Sequence, residues 1–363
     1  MRARTGPATA LVLALALTGC TAGEPEQAAP PPSPSQPPAP EEPSGEPTQE
    51  PSQEPPEGET VPLRWQPVSG PVADQVTVSG PWTLTLVDGG DTVRLEGPEP
   101  DDFRAPRGYA FTEALIDGRY AVVVAEHEQA ARPNVVSVLD LESGETTEAD
   151  TPSGVGGSWA LGSGLLATTV RQGRDYCVAV ADLEAGGSRT GPCVPPRNGI
   201  SNLTISPAGT AAMTFDDGRP SCRTLNRVEG GELVPLSGVD ECQGWEAVVT
   251  ETAAVWGVVP NERRIEAAEY YADSGSGPVE LGPGTTGSLT WCGDAAYVVR
   301  DPQRSSDPAR LLRIDPVAAE TEVVYETGAS GRAFLSEPRC GGSELTLTAF
   351  TARGDEQVTA SLR

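Results

Sequence analysis

The sequence predicts an all-β protein whose folded part is a β-propeller, and three features support this prediction. Short apolar and β-branched runs alternate with clusters of Gly, Asp, Asn and Pro, as expected of strands joined by tight turns. No segment keeps a sustained helical period; residues 265–271 come nearest and are too few for a stable helix. The pattern also repeats about every 43 to 46 residues, which is the length of a four-stranded propeller blade.

The chain begins with a segment typical of a secretory signal peptide. Arg2 and Arg4 give it a positive start, and residues 11–17 form an apolar run. This run is too short to span a membrane, because a spanning helix takes about 20 apolar residues. We therefore predict that residues 1–19 are a signal peptide that is removed on export.

Four residues close this segment and begin the mature chain: Leu17, Thr18, Gly19 and Cys20. They resemble the lipobox of secreted bacterial lipoproteins, in which a leucine and two small residues precede the lipidated cysteine. The resemblance implies that Cys20 carries a diacylglycerol and anchors the protein on the extracytoplasmic face of the cell membrane, effectively permanently because two acyl chains are buried. The alternative is an ordinary signal peptide that happens to contain a cysteine.

Residues 20–60 are predicted to be a disordered linker between the lipid and the propeller of residues 61–363. Residues 21–60 contain nine Glu, no basic residue and almost no large apolar side chain, so they bury too little apolar surface to offset the entropy of ordering. Their many prolines favour extended polyproline II. At ~3.1 Å per residue the linker reaches on the order of 100 Å, enough to lift the propeller into or through a cell wall.

The composition limits the partners of the protein. The formal net charge is −27, and the folded part alone has a net charge of about −20. Such an acidic body is unsuited to nucleic acid, which is bound through basic patches, and anionic lipid headgroups would repel it. All 25 basic residues are Arg, and together with the abundant Ala, Gly, Pro and Val this suggests a GC-rich, actinobacterial source.

Each repeat has a tight polar turn followed by an apolar strand. Four copies align at 114–123, 160–169, 291–299 and 339–347. Seven such units would fill the folded part, but the last supplies only about three strands. We therefore expect an N-terminal strand within residues 61–68 to complete the final blade and cover its edge. Six blades are the alternative, if residues 82–95 belong to the final sheet.

One hairpin carries a family resemblance. Residues 206–209 read Ser-Pro-Ala-Gly and are similar to the Ser-Pro-Asp-Gly hairpin of TolB-like and WD40-like bacterial propellers, with Ala208 in place of the Asp. The other units carry the pattern only loosely. The resemblance therefore implies the propeller fold rather than membership of one functional family.

Six further cysteines lie in the propeller region, where an exported protein can keep disulfides. Pairs within one hairpin flank a turn, and one pair occupies equivalent positions of neighbouring repeats. The spacing favours Cys177–Cys193, Cys222–Cys242 and Cys292–Cys340. Six cysteines also allow many other pairings, which the sequence does not exclude. A zinc or redox site is the alternative use of these thiols, although the chain has no Cys-x-x-Cys.

The only histidine limits the enzymatic options. His127 lies between Glu126 and Glu128 in what reads as an exposed loop, and these neighbours make it a poor general base for a catalytic triad. We predict no catalytic residue, no metal site and no cofactor. The sequence favours a protein that is not an enzyme, with paired carboxylates at the propeller axis as the catalytic alternative.

Two other groups of residues have both a structural and a functional interpretation. Trp159 and Trp291 fall at equivalent positions of two repeats, and we expect them to pack between blades; a sugar-stacking platform is the alternative. Asp216, Asp217 and Gly218 have the composition of a calcium loop, but Asp and Gly supply turn geometry and we predict a turn.

Three functional hypotheses follow from these features. The first is a surface-tethered propeller that binds or scaffolds a protein, peptide or glycan at the mouth of its channel. The second is an extracellular hydrolase or lyase for polysaccharides, which requires two or three acidic side chains close together near aromatic residues. The third is a structural protein of the cell envelope.

We expect Cys20→Ala to release the protein from the membrane or leave it unprocessed, because the lipid needs the cysteine thiol. Membrane fractionation and the mass of the purified protein measure these two outcomes. Thr18→Ala, which keeps a small residue before the cysteine, is the control. Unchanged membrane retention of the Cys20→Ala protein would contradict the anchor.

Overall fold

The structure is a computed structural model, and it describes residues 63–130, 132–149, 157–261, 263–328 and 332–362. The predicted signal peptide, Cys20 and the linker of residues 20–60 lie outside the described residues. Every regular element within the described ranges is a β-strand, and no helix there is long and apolar enough to cross a membrane. The all-β prediction is confirmed.

The strands form seven antiparallel sheets, the blades of a propeller, which confirms the prediction of seven blades. In blades 1 to 6 four consecutive strands are neighbours, from the inner strand to the outer. Following β1 (Gln66–Pro67), the strands of blades 1 to 3 are β2 (Gln75–Ser79), β3 (Trp82–Leu86), β4 (Thr92–Glu96), β5 (Asp101–Arg104), β6 (Tyr109–Asp117), β7 (Tyr120–His127), β8 (Val135–Asp140), β9 (Thr146–Glu148), β10 (Trp159–Gly162), β11 (Leu165–Gln172), β12 (Asp175–Asp182) and β13 (Ser188–Val194). Those of blades 4 to 6 are β14 (Asn198–Ser206), β15 (Gly209–Asp216), β16 (Arg223–Glu229), β17 (Glu232–Pro235), β18 (Gly244–Val249), β19 (Ala254–Val258), β20 (Ala267–Asp273), β21 (Val279–Thr285), β22 (Thr290–Cys292), β23 (Ala295–Arg300), β24 (Arg310–Asp315) and β25 (Glu320–Glu326).

Blade 7 combines both ends of the folded chain. Its remaining strands are β26 (Phe334–Leu335), β27 (Arg339–Cys340), β28 (Glu344–Phe350) and β29 (Glu356–Ser361). The short strands β26 and β27 both pair with β28, and β1 pairs with β29 as the outer strand, with Gln66 opposite Thr359. An N-terminal strand within 61–68 therefore does complete the last blade, as the sequence predicts, and it covers the sheet edge.

The strands have the apolar patterns of sheets that are covered on both faces. In β3 the buried residues alternate with half-buried threonines, whereas the first six residues of β7 are all buried. The second strand of a blade is buried on both sides, because each blade lies between two neighbours. This strand therefore has no solvent-facing side that needs polar residues. Residues 265–271, the nearest helical candidate, lead into and form most of β20, whose buried and half-buried residues alternate with the period of a strand.

Apolar clusters fill six of the seven spaces between neighbouring blades in the described residues. The seventh space, between blades 7 and 1, is closed by polar contacts. The Val78 N–H donates to Thr346 Oγ1 at 3.2 Å, and the buried Gln357 Nε2 donates to the Asp74 carbonyl at 2.6 Å. A Cβ at Gly341 would lie 1.9 Å from the Val78 carbonyl oxygen, so the backbones approach here as only glycine allows.

In four of the seven blades the turn after the third strand follows one pattern. The strand ends in Asp, whose Oδ1 accepts N–H groups of the next turn; Asp140, for example, accepts from Glu142 at 2.9 Å and Ser143 at 3.2 Å. Such side-chain caps fix the reversal into the outer strand. The same arrangement is found at Asp182, Asp273 and Asp315.

Three disulfides are present, and each is a pairing that the sequence favours: Cys177–Cys193, Cys222–Cys242 and Cys292–Cys340. The first joins the third and outer strands of blade 3. The second joins the start of β16 to the segment leading into β18, and the third joins the inner strands of blades 6 and 7. With these six sulfurs in disulfides, the alternative of a zinc site built from them is ruled out.

We expect the double variant Cys292→Ala/Cys340→Ala to lose about 4 kcal/mol of the free energy of unfolding, since the loop that this disulfide closes spans 48 residues. The loop of 16 residues between Cys177 and Cys193 predicts about 3 kcal/mol for the corresponding variant. Urea unfolding of both proteins measures the difference. A larger loss from the shorter loop would contradict the chain-entropy explanation.

Candidate binding site in the central channel

The inner strands of the blades surround a channel on the propeller axis with a volume of about 510 Å³. All seven blades contribute to its wall, and the residues come from the inner strands or from the segments that lead into them. In blade order the wall includes Gln75, Glu113, Trp159, Asn202, Glu246, Trp291 and Arg339. The channel is therefore the place where residues that are distant in sequence meet.

Several polar groups of the channel wall are already committed to the fold. Asn202 Nδ2 donates to the Trp245 carbonyl at 2.7 Å, and Thr204 Oγ1 donates to the Ala247 carbonyl at 2.6 Å. Each bond joins blade 4 to blade 5. The hydroxyl of Thr290 similarly donates to a carbonyl of blade 7 at 3.0 Å. These groups hold neighbouring inner strands together and are not free to bind a ligand.

Irregular pairing places side chains on this wall. The registers of three inner strands shift next to their second strands, immediately before Glu113, around Asn202 and before Glu246. Asn202 has a positive φ of 48°, which an asparagine tolerates better than most residues. Bulges turn side chains in directions that regular strands do not allow, and here they occur where residues reach the channel.

Glu246 is a buried structural carboxylate. Its Oε1 lies 2.5 Å from the Tyr270 hydroxyl and accepts from the Gly287 N–H at 2.8 Å, while Oε2 accepts from the Leu289 N–H at 3.2 Å. It therefore fastens β18 of blade 5 to the segment leading into blade 6. Burial raises the pKa of Glu246 to about 7, although these hydrogen bonds act in the opposite direction.

The proton count of this network agrees with a raised pKa for Glu246. The Tyr270 hydroxyl has one proton but lies near two acceptors, Glu246 Oε1 and the Thr285 carbonyl, the latter at 2.9 Å. If the carboxyl is protonated, it donates to the tyrosine, which in turn donates to Thr285. Every contact is then a hydrogen bond, and no charge is buried.

Glu113 and Glu337 are the uncommitted carboxylates of the channel. Neither side chain makes a hydrogen bond or an ion pair within the described residues. Burial raises the pKa of both carboxyls, while the nearby Arg339 lowers both, and Glu337 raises the pKa of Glu113 further. The Arg339 guanidinium donates to Gln75 rather than to either carboxylate. The positive charge of Arg339 therefore acts on both carboxyls.

Trp159 and Trp291 line the same channel from blades 3 and 6. Both pack into the apolar clusters between blades, as the sequence predicts, and Trp159 is only 9% exposed. The indole Nε1 atoms of both residues are buried and have no hydrogen-bond partner in the described residues. An unpaired buried N–H is costly to stability, and the two nitrogen atoms have no accessible surface through which a molecule in the channel could reach them.

The other residues considered from the sequence lie elsewhere. Cys20 is outside the described residues. His127 is the last residue of β7 rather than part of a loop; it is half-buried, and its ring packs edge-on against Tyr109 with centroids 5.1 Å apart. Asp216 forms the predicted turn, accepting from the Gly218 N–H at 3.0 Å and the Cys222 N–H at 2.8 Å.

Sequence reasoning missed the channel glutamates, although a signal for two of them exists. Residues 113–116 read Glu-Ala-Leu-Ile and residues 246–249 read Glu-Ala-Val-Val. A carboxylate inside an inner strand, directly before three apolar residues in two repeats, is out of place for packing alone. Glu337 lies between β26 and β27 and has no such signal, because the inner strand of blade 7 is interrupted there.

Comparison with solved structures places the fold among known propellers. The β-propeller domain of the trilobed protease from Pyrococcus furiosus, described as having an open velcro topology, is similar over 79% of this chain and 95% of that domain, with a TM-score of 0.58 and 12% identity. A prolyl endopeptidase structure is similar over 81% of this chain, with a TM-score of 0.53 and 14% identity, and this chain spans 46% of its length.

These likenesses show the fold, and at such low identity they show nothing further. No protein-family model matches the chain, and no curated protein matches it. Both similar structures come from peptidases. In this chain, β1 pairs with β29 in the last blade, whereas the Pyrococcus domain is described as open.

We expect wild-type protein to lose stability relative to Glu246→Gln as the pH rises from 5 to 8. A carboxyl whose folded-state pKa is raised from 4.5 to about 7 stabilises the fold fully at low pH, and this contribution disappears as the pH passes 7. The expected change in the difference is about 2 to 3 kcal/mol, measured by urea unfolding at both pH values. Glu251→Gln, at an exposed position, is the control and should show no such trend. A difference that does not vary with pH would contradict the raised pKa.

Proposed function

We propose that the protein is a binding module of the bacterial cell envelope, anchored by a lipid on Cys20 and binding its ligand in the central channel. The lipobox resemblance supports the anchor, and the proline- and glutamate-rich residues 20–60 support a spacer. Propellers suit recognition because every blade contributes residues to one site.

One observation supports this proposal most directly. Asn202, Thr204 and Thr290 use their side chains in bonds between blades, whereas the half-buried Glu113 and the exposed Glu337 line the channel without a hydrogen-bond partner in the described residues. Side chains that no bond between blades uses are available to a molecule in the channel. A purely structural propeller gains nothing from them.

Hydrolysis of a polysaccharide is the second candidate function, because the channel holds the residue types that it requires. Glu113 and Glu337 are carboxyls of raised pKa, the property of a general acid, and two tryptophans line the same wall. The basic Arg339, which lowers the pKa of both carboxyls, does not suit a nucleophile and acid pair as well as it suits charge recognition. Release of reducing ends from cell-wall polysaccharide, lost in Glu113→Gln, would favour this candidate.

Site-specific photo-cross-linking in intact cells tests the binding function. The photo-reactive residue p-benzoylphenylalanine replaces Thr112, an exposed residue of the inner strand β6 that lines the channel. The control replaces Thr146, an exposed residue of the outer strand β9 in the same blade. We expect an adduct of defined mass at Thr112 in at least tenfold greater yield than at Thr146, since only the channel holds ligand.

Two other results would argue against binding in the channel. Equal yields at the two positions would contradict channel binding. No adduct at Thr112, combined with weakened envelope integrity in cells that lack the protein, would favour the structural hypothesis instead.

A further inference from the structure

We propose that a groove between blades 3 and 4 binds a proline-rich peptide segment of another protein, with a carboxylate of that segment beside Arg171. The groove lies next to the start of the inner strand β14 and has a volume of about 790 Å³. It shares no lining residue with the central channel. The inference therefore adds a second site and does not rest on the function proposed for the channel.

Two exposed aromatic rings line this groove. Tyr176, from β12 of blade 3, is 41% exposed, and Phe215, from β15 of blade 4, is 36% exposed. Three Phe, Tyr or Trp side chains are exposed in the described residues, and the third, Phe334, lies in blade 7. Two of the three thus meet in one groove, where covering them removes apolar surface from water and favours an apolar partner.

A glycine holds the Phe215 ring in place. Phe215 pairs with Gly199 of β14, and a Cβ on Gly199 would lie 2.3 Å from the Cζ atom of the ring. The ring therefore lies against the backbone of β14, in space that any other side chain would fill. Gly97 accommodates Trp82 in the same way, but that ring is buried. At Phe215 the arrangement fixes an exposed ring, which makes it a surface for stacking.

The base of the groove favours a peptide over a glycan. The lining residues Val170 and Ile200 are apolar and buried. Placing the hydroxyl groups of a sugar on such a base is costly, whereas the ring carbons of proline suit it. Proline-rich segments also leave their backbone carbonyls free and bind in aromatic-lined grooves. The exposed Tyr176 hydroxyl has no hydrogen-bond partner in the described residues, so it is available to donate to such a carbonyl.

The charges of the groove favour a carboxylate on the ligand. Asp217 is paired with Arg197, whose Nε donates to it at 2.7 Å, and Asp216 accepts two N–H groups of its own turn. Arg171 donates only to the Gly173 carbonyl, at 3.2 Å, and has no ion pair in the described residues. A ligand carboxylate would accept from the remaining N–H groups of Arg171 in a charge-assisted pair.

Disulfides brace both walls of the groove. Cys177, directly after Tyr176, is linked to the outer strand of blade 3. Cys222, whose N–H donates to Asp216 at 2.8 Å, is linked to the segment that leads into blade 5. Two of the three disulfides therefore stiffen this one site. A site that is already ordered loses less entropy on binding.

Calorimetric titration of the full-length protein in detergent tests the inference with three matched probes. The first is acetyl-Pro-Pro-Glu-Pro-Pro-Glu-Pro-Pro-amide. The second replaces each Glu by Gln and removes only the charge, and the third replaces each Pro by Gly and removes only the rings. We expect the first probe to bind at least tenfold more tightly than either of the others, because each lacks one of the two recognised features.

Variants then locate the binding. Tyr176→Ala and Phe215→Ala should each weaken binding of the first probe about tenfold or more, because each removes an exposed ring of the groove. Phe334→Ala makes the same change at the exposed phenylalanine of blade 7, outside the groove, and should leave binding unchanged.

Arg171→Gln tests the ion pair separately from the rings. It should lower the affinity for the first probe to that for the second and leave the affinity for the second unchanged, which a general loss of structure would not do. Urea midpoints show whether each variant is folded. Tyr176 and Arg171 are both exposed, so their variants keep the test valid if Phe215→Ala unfolds.

No binding of the first probe, or unchanged affinity in folded Tyr176→Ala and Phe215→Ala, would overturn the inference. Equal affinities for the first and second probes would reject the carboxylate, and equal affinities for the first and third would reject the proline segment. Binding of tetragalacturonate, an acidic glycan, in place of the first probe would assign the groove to a glycan and overturn the peptide. The cross-linking at Thr112 reports on the channel alone, so an adduct there without peptide binding rejects only this inference.

Discussion

Closure of the ring is the constraint on which the rest of the structure depends. Each blade buries both faces against its neighbours, so an open ring would expose two apolar or unpaired faces at once. Apolar clusters fill the other six spaces between blades, but the space between blades 7 and 1 is held by Thr346, Gln357 and the close approach at Gly341. Trp65, beside β1, donates to the Val324 carbonyl at 2.7 Å and so ties the N-terminal segment to blade 6 as well. Directional hydrogen bonds fix one register between blades 7 and 1.

The same closure creates the channel and divides its polar groups into two kinds. Seven inner strands converge on the axis. The backbone N–H and C=O groups at each strand end, and those of the neighbouring strand, need hydrogen-bond partners there. Asn202, Thr204 and Thr290 serve this purpose by donating to carbonyls of the next blade. Glu246 does so as a buried carboxyl that accepts from the Gly287 and Leu289 N–H groups and contacts the Tyr270 hydroxyl. Glu113 and Glu337 are the channel carboxylates that take no part in such bonds in the described residues.

The fold and much of its covalent framework could be predicted from the sequence because both depend on local signals. Turns of Gly, Asp and Pro repeat at blade length, and Cys177 and Cys193 flank one hairpin, so their pairing follows from the strand register. Trp159 and Trp291 were predicted to pack between blades because they fall at equivalent positions of two repeats, which is also a local signal. His127 was assigned to a loop because its polar neighbours are more typical of a loop than of the end of a strand. The channel carboxylates were missed because no local spacing relates Glu113 to Glu337.

The sequence by itself determined the all-β propeller, with seven blades favoured over six, the cysteines available for disulfides and the expectation of a lipid on Cys20, since each is encoded over a few neighbouring residues or a regular period. Only the tertiary structure decided which of the many acidic side chains share a site. Charge in the sequence is spread over the whole chain, and the ring alone selects the carboxylates that face one axis. It also placed Arg339 beside both carboxyls, where its charge lowers the pKa of Glu113 and of Glu337 against the opposing effect of desolvation. These are properties of three-dimensional surroundings, which a linear pattern does not contain.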